Sequence, residues 1–285
     1  MDQQELERYR AIQRLAYEAT VDVANRLPVG ISERKAAAML RAELHTRGVT
    51  AFFHPPFAWF GDRTAFTGFR SPFDFFPTDR RLEPGMPAIL DVAPTVDGRS
   101  ADIGYAFAAG TNETVERALD DLLVCRELIL RLVRQENTLK AVYAAVDTCL
   151  QDMGYQNRHQ QYPFRVLAHR VDLTTHLPLI GQAHVGLSLE AGLSLLVHHG
   201  WERLQRAPQS SALWNDAAYA DVRPTPGLWA FEPHVGKDGV GAKWEEILVI
   251  TESTAYWLDD DLPHVRRHEW TTARSIPNTG APPDA

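Results

Sequence analysis

With 285 residues, 45% of them hydrophobic, the chain can bury one full core or two compact ones. Its formal net charge is −8 and it holds no block of Lys and Arg, which argues against nucleic acid and anionic membrane as partners. No apolar run reaches membrane-spanning length, and the opening Met1-Asp-Gln-Gln-Glu5 is too polar for a signal peptide, so a cytoplasmic protein is expected.

Residues 3 to 27 place apolar side chains at helical spacing (Leu6, Tyr9, Ile12, Leu15, Ala16, Ala19, Val23, Leu27) and stop at Pro28-Val-Gly30. Ser32 caps a second helix to about Arg47, closed by Gly48. Thr50 to Phe76 is dense in Phe, Trp and Pro at irregular spacing, as short strands and loops are. Within it Phe52-Phe-His54-Pro-Pro-Phe57-Ala-Trp59-Phe60 reads as core packing, with some rings left to line a pocket. Leu82-Glu-Pro-Gly85-Met turns the chain into a hairpin. Thr114 to Val133 and Thr138 to Met153 are two further amphipathic helices, the first opened by Asn112/Thr114 and the second closed by Gly154. Cys125 and Cys149 stand apart and read as buried thiols. After Tyr162 strands return. Residues 1–270 are read as a single catalytic domain, and 271–285, rich in Pro, Gly, Thr and Ser, as a disordered tail.

Two Asp-Gly pairs sit midway between strand-like runs, the strongest short-range signal for a hairpin. Around Asp97-Gly98, a two-residue turn pairs Asp91 with Gly104 and leaves Asp102 on the same face as Asp91's diagonal neighbour. Around Asp238-Gly239 the same turn sets Glu232 directly opposite Glu245. Outward-facing acids would explain either hairpin alone. Four carboxylates on apolar strands, each with a desolvation cost of about several kcal/mol, instead require cations nearby. His169, in Phe164-Arg-Val-Leu-Ala-His169-Arg170, follows an apolar run between the hairpins. One imidazole with four carboxylates is a ligand set for two divalent cations such as manganese, iron, cobalt or zinc, rather than for a structural zinc, which prefers thiolates.

The order Asp91, ten residues, Asp102, a helical pair, His169, Phe231-Glu232-Pro233 and Glu245-Glu-Ile-Leu-Val-Ile-Thr251 resembles the pita-bread metallopeptidase superfamily of methionine aminopeptidase, aminopeptidase P, prolidase and creatinase. Leu27-Pro-Val-Gly30-Ile-Ser-Glu33 is similar to the family's Pro-Gly-x-Thr-Glu segment, and the resemblance runs from about Glu5 to Leu258. It implies an α+β fold: a curved antiparallel sheet covered by helices, in two pseudo-symmetric halves. It also implies that Asp91 chelates one metal, that Asp102 and Glu245 bridge both, and that His169 and Glu232 complete the other. That set separates the chain from the creatinase branch, which has lost the metals. The extra N-terminal domain of aminopeptidase P, prolidase and creatinase is expected to be lacking.

Two cations held by bridging carboxylates acidify a shared water and polarise a substrate carbonyl. The resemblance gives Glu232 the further role of carrying the water's proton to the leaving amine. His176, seven residues after His169, matches the family's second histidine, which binds the substrate carbonyl or oxyanion. Arg170 replaces a glycine common beside the metal histidine, and either binds a substrate carboxylate or faces solvent. No histidine follows Gly61-Asp62-Arg63 where the family has its substrate-side histidine, which puts ordinary N-terminal peptides in question as substrates. Residues 177–227 form an insertion with Gly181-Gln-Ala-His184, His198-His199, Trp201, Trp214 and Tyr219, a candidate pocket lid or homodimer contact.

The expected activity is therefore a dinuclear metal-dependent hydrolase that cleaves a C–N bond in a short peptide or small amide. The alternatives are a lyase or iron-dependent redox enzyme using the same site on a small metabolite, and a binding protein that has lost catalysis.

Overall fold

The computed structural model describes residues 1–172 and 212–267. The chain opens with helices α1 (Gln3–Ala24) and α2 (Glu33–Thr46), capped by Asp2 and Ser32, whose side chains accept from the Glu5 and Lys35 amides. Strands β1 (Ala51–Phe60), β2 (Pro87–Val96), β3 (Arg99–Ser100) and β4 (Ile103–Ala108) follow. Helices α3 (Glu113–Arg134) and α4 (Leu139–Asp152) take their caps from Asn112 and Thr138. The second set of strands is β5 (Gln156–Asn157), β6 (Ala168–Arg170), β7 (Leu213–Trp214), β8 (Gly227–Phe231), β9 (His234–Lys237), β10 (Val240–Lys243), β11 (Glu246–Ile250) and β12 (Ala255–Trp257).

Every pairing among these strands is antiparallel. β2 lies between β1 and β4 and also pairs with β3; the second set forms the order β12-β11-β8-β6-β7 and a small sheet β10-β9-β5. A bridge between Tyr105 and Trp244 ties β4 to the chain just after β10.

Both Asp-Gly pairs are two-residue turns with positive φ at each central residue, Asp97 at 48° and Gly98 at 80°, Asp238 at 50° and Gly239 at 79°. This is the type I′ geometry whose twist matches that of the flanking strands. The registers follow from the turns. Asp91 pairs with Gly104, and Glu246 pairs with Phe231, so one step back along the same register Glu245 stands opposite Glu232.

Period-two alternation decides what each strand faces. On β1 and β2, Ala58, Phe60, Leu90 and Val92 pack under α1 and α2, against Tyr17, Leu40 and Leu44. The other face of the same strands presents Phe57, Trp59 and Ile89 to a second core built on α3, α4, Trp229 and Phe231. Asp91 lies between Leu90 and Val92 and so belongs to that second face. The interior of the protein, rather than solvent, receives this carboxylate.

The described part of the 177–227 segment packs inward: Trp214 is fully buried, and its indole donates to the Leu139 carbonyl. The rest of that segment to residue 211, and the expected tail, lie outside the described residues.

Candidate active site

Six side chains meet in one cavity of about 310 Å³, the half-buried His54 and the buried Asp91, Asp102, His169, Glu232 and Glu245. Asp91 comes from the middle of β2 and Asp102 from the residue before β4. His169 is central in β6. Glu232 follows the last residue of β8, and Glu245 precedes the first of β11. The two hairpin registers thus deliver four carboxylates to one place, with His169 on the adjoining strand, which pairs with β8.

His54 was not among the ligands expected from sequence. It lies on β1 where the register slips twice, between Phe52 and His54 and again between His54 and Phe57. Pro55 and Pro56 have no N–H to give to the ladder, so the strand bulges there and the His54 ring is re-aimed into the site. The stretch from Gly61 to Phe69 offers no histidine, yet the site has a second imidazole from seven positions upstream of Gly61.

Both imidazoles are oriented alike. His54 Nδ1 lies 3.0 Å from the Pro55 carbonyl oxygen, and His169 Nδ1 lies 3.4 Å from that of Arg170. The Nε2 atoms face Asp102, His54 at 3.0 Å from Oδ1 and His169 at 3.1 Å from Oδ2. His54 Nε2 is also 3.4 Å from Asp91 Oδ1. A ring that donates Nδ1–H to a carbonyl turns its Nε2 lone pair inward, the usual tautomer of a metal-ligating histidine. One donor atom each from His54, Asp91 and Asp102 lies within 4.8 Å of the others, so these residues can close on a single cation. Glu245 Oε2 is buried and has no hydrogen-bond partner among the described residues. An acceptor left unmet in an acidic cavity, beside oxygen and imidazole donors, suits a divalent ion.

A lysine is also inside. Lys243 is fully buried, and its ammonium donates to Asp91 Oδ2 and the Tyr162 hydroxyl, each at 2.6 Å. It pairs with Glu245 Oε1 as well and stands 3.6 Å from Glu232 Oε2. Burial alone would favour neutral lysine, but the Asp91 and Glu245 carboxylates override it and hold Lys243 charged, well above the usual lysine range.

Burial sets the other charges too. It pushes Glu232 up to about 7. Burial and the nearby Asp102 charge raise Glu245 well above the carboxylate range. For Asp102 burial works upward, but the His54 and His169 rings win and hold it well below. Burial would keep His54 neutral, whereas the Asp102 and Asp91 carboxylates take it up to about 9.

The walls are apolar: Phe53, Phe57, Trp59, Phe75, Phe164 and Leu213. The Phe53 ring stacks on His169 at 5.7 Å. Arg170 is not brought into the cavity. Its guanidinium forks onto Asp172 at 2.6 and 2.8 Å, donates to Thr225 and lies over the Trp229 ring. His176 lies outside the described residues. Besides His54, sequence reasoning missed Lys243 and Tyr162; period two alone would have placed Lys243 on the face of Glu245.

A model of the family described as metallopeptidase family M24 matches residues 7–252. No curated protein sequence matches the chain at a significant level. Among solved structures, the X-Pro aminopeptidase of Thermotoga maritima MSB8 is similar at 17% identity and TM-score 0.67, over 93% of this chain and 63% of that one. The prolidase of Pyrococcus furiosus is similar at 18% identity and TM-score 0.61, over 90% and 64%. The Xaa-Pro dipeptidase of Bacillus anthracis gives 15% and 0.59, over 90% and 61%. This chain spans less than two thirds of the length of each. At such identities the likeness shows the fold, and the fold is the pita-bread architecture that the sequence implied.

Proposed function

Because the chain belongs to metallopeptidase family M24, a family of metal-dependent enzymes, we propose that it is a metallohydrolase that cleaves a C–N bond in a short peptide or small amide. One observation carries this reading: two imidazoles and four carboxyls, drawn from separate strands, converge on the floor of a single apolar-walled cavity. In this reading Asp91, Asp102, His169, Glu232 and Glu245 are the metal-binding residues expected from sequence, and His54 joins them.

A bound divalent ion would supply Lewis acidity, drawing electron density from a substrate carbonyl and acidifying a water beside it. The chain's own groups do the rest. Glu232, pushed up to about 7 by burial, is suited to take a proton from the attacking water and give it to the leaving nitrogen. The Nδ1 contacts with backbone carbonyls keep the His54 and His169 rings from rotating. Phe53, Phe57, Trp59 and Phe75 keep bulk water from the reacting bond and favour substrates with an apolar or cyclic side chain next to it. His176 and Arg170 remain candidates for substrate contact, Arg170 only if it leaves Asp172.

The test is hydrolysis of Xaa-Pro dipeptides and small amides by chelator-stripped protein with and without Mn(II), Co(II) or Zn(II), in ¹⁸O-labelled water. Metal-dependent turnover with one labelled oxygen in the acid product is expected. Full turnover without metal, or product free of label, would overturn the proposal, the latter in favour of a lyase or redox reaction.

A further inference from the structure

The sequence leads to an expectation of two cations, and Lys243 stands where the second would have to bind. An ammonium has three N–H donors and no acceptor. Here the three donors meet three oxygens: Asp91 Oδ2, Glu245 Oε1 and the Tyr162 hydroxyl. Glu232 Oε2 lies just beyond, at 3.6 Å. A cation seated between Asp91 and Glu245 needs those same two carboxylate oxygens.

The backbone is shaped for this side chain. Gly104, the pairing partner of Asp91, lies against the lysine stem, and a Cβ at 104 would fall 2.6 Å from Lys243 Cε and 2.9 Å from Cδ. Any side chain there would force the stem aside. The Tyr162 ring lies 4.7 Å from Nζ and the Trp59 ring 5.9 Å, which favours a cation at this point. On the opposite side of the cluster the inward-facing donors are His54 Nε2, His169 Nε2, both Asp102 oxygens, Asp91 Oδ1 and the unpartnered Glu245 Oε2.

We propose that Lys243 takes the place of one of the two cations, so that the site holds a single divalent ion, on the side of His54, Asp102 and His169. The inference rests on the metal-dependent reading above and deepens it. One divalent ion and one ammonium bring three positive charges to four carboxyls, with the histidines neutral as ligands. The remaining carboxyl is left able to take up a proton and release it again, as Glu232 must between the attacking water and the leaving nitrogen.

The test is a Mn(II) titration of chelator-stripped wild-type protein, followed by elemental analysis after gel filtration and by electron paramagnetic resonance. One Mn per chain and a six-line signal without exchange coupling are expected. Lys243→Met, which keeps the stem and removes the charge, is expected to take up two Mn and to show a broadened, exchange-coupled spectrum. Two Mn per wild-type chain would overturn the lysine inference and leave the metallohydrolase reading standing. No uptake of Mn(II), Co(II) or Zn(II) at any concentration would overturn both. A folded Lys243→Met that still holds one Mn would also overturn the inference. If that variant does not fold, the wild-type count and spectrum decide alone.

Discussion

His234 is held without charge in the folded protein by its burial, and a directional chain of hydrogen bonds that starts at Lys243 fixes its tautomer. The ammonium donates to the Tyr162 oxygen, so the Tyr162 hydroxyl is free to donate to His234 Nδ1, 3.2 Å away, and Nε2–H then donates to the Thr64 carbonyl at 2.7 Å. Burial, and after it the Lys243 charge, push His234 well below its ordinary 6.5. Unfolded protein binds a proton there below pH 6.5 and folded protein does not, so this residue's contribution to stability is intact above pH 6.5 and falls away as the pH drops below it. Urea denaturation of metal-free protein at pH 7 and at pH 5 should show lower stability at pH 5, with a smaller drop in His234→Gln; an unchanged drop would show that His234 is not the titrating group. At this scale the four acids and His169 were legible in the sequence, and His54 and Lys243 were not. Asp91, Asp102, Glu232 and Glu245 sit at fixed counts from two Asp-Gly turns. His54 sits beyond a double proline that breaks the count, and Lys243 reads as one more solvent-facing charge unless the alternation is carried past Glu245.

The hairpin β9–β10 positions both Lys243 and Glu245, and it is clamped at two points. Its turn needs positive φ at Gly239, which costs an alanine about 1 kcal/mol or slightly more. Its other face lies flat on the turn at residues 61–65, where the Gly241 amide donates to the Thr64 hydroxyl at 2.8 Å and a Cβ at 241 would be 1.9 Å from the Thr64 carbonyl oxygen. Gly241→Ala is thus expected to cost more than Gly239→Ala, about 3 kcal/mol or above, because backbone rather than a flexible side chain blocks it. Chemical denaturation ranks the two, and equal losses would mean that the clamp yields. The four long helices of the described residues were legible to within about three residues, all from apolar spacing and two also from their caps, since Ser32 and Asn112 open α2 and α3 by accepting backbone N–H groups. The strands of two or three residues, β3, β5, β6, β7 and β12, were not legible singly. They exist because neighbouring strands offer an edge, and no local pattern records that.

Across the whole molecule the site is a seam. Asp91 and Asp102 belong to the sheet under α1 and α2, whereas His169, Glu232 and Glu245 belong to the strands packed on α3 and α4, so a bound cation ties the two together. Metal at a hundred times its dissociation constant should stabilise the fold by about 2.7 kcal/mol, a rise in Tm of roughly 5–10 °C. Asp102→Asn should lose most of that rise while its metal-free Tm stays near wild type. A full rise in the variant would remove Asp102 from the ligand set. The close fit of Gly104 to the Lys243 stem crosses the same seam, and it bears on how such a protein can change. Adding a methyl at 104 while the lysine remains creates a collision, and shortening the lysine alone opens a buried void beside unpaired acids. Gly104→Ala with Lys243→Ala should therefore cost less than the sum of the two single changes, measurable as a non-zero coupling energy in a double-mutant cycle. Each half of the molecule thus constrains the substitutions the other can accept, and the two positions are expected to drift through descent as a linked pair.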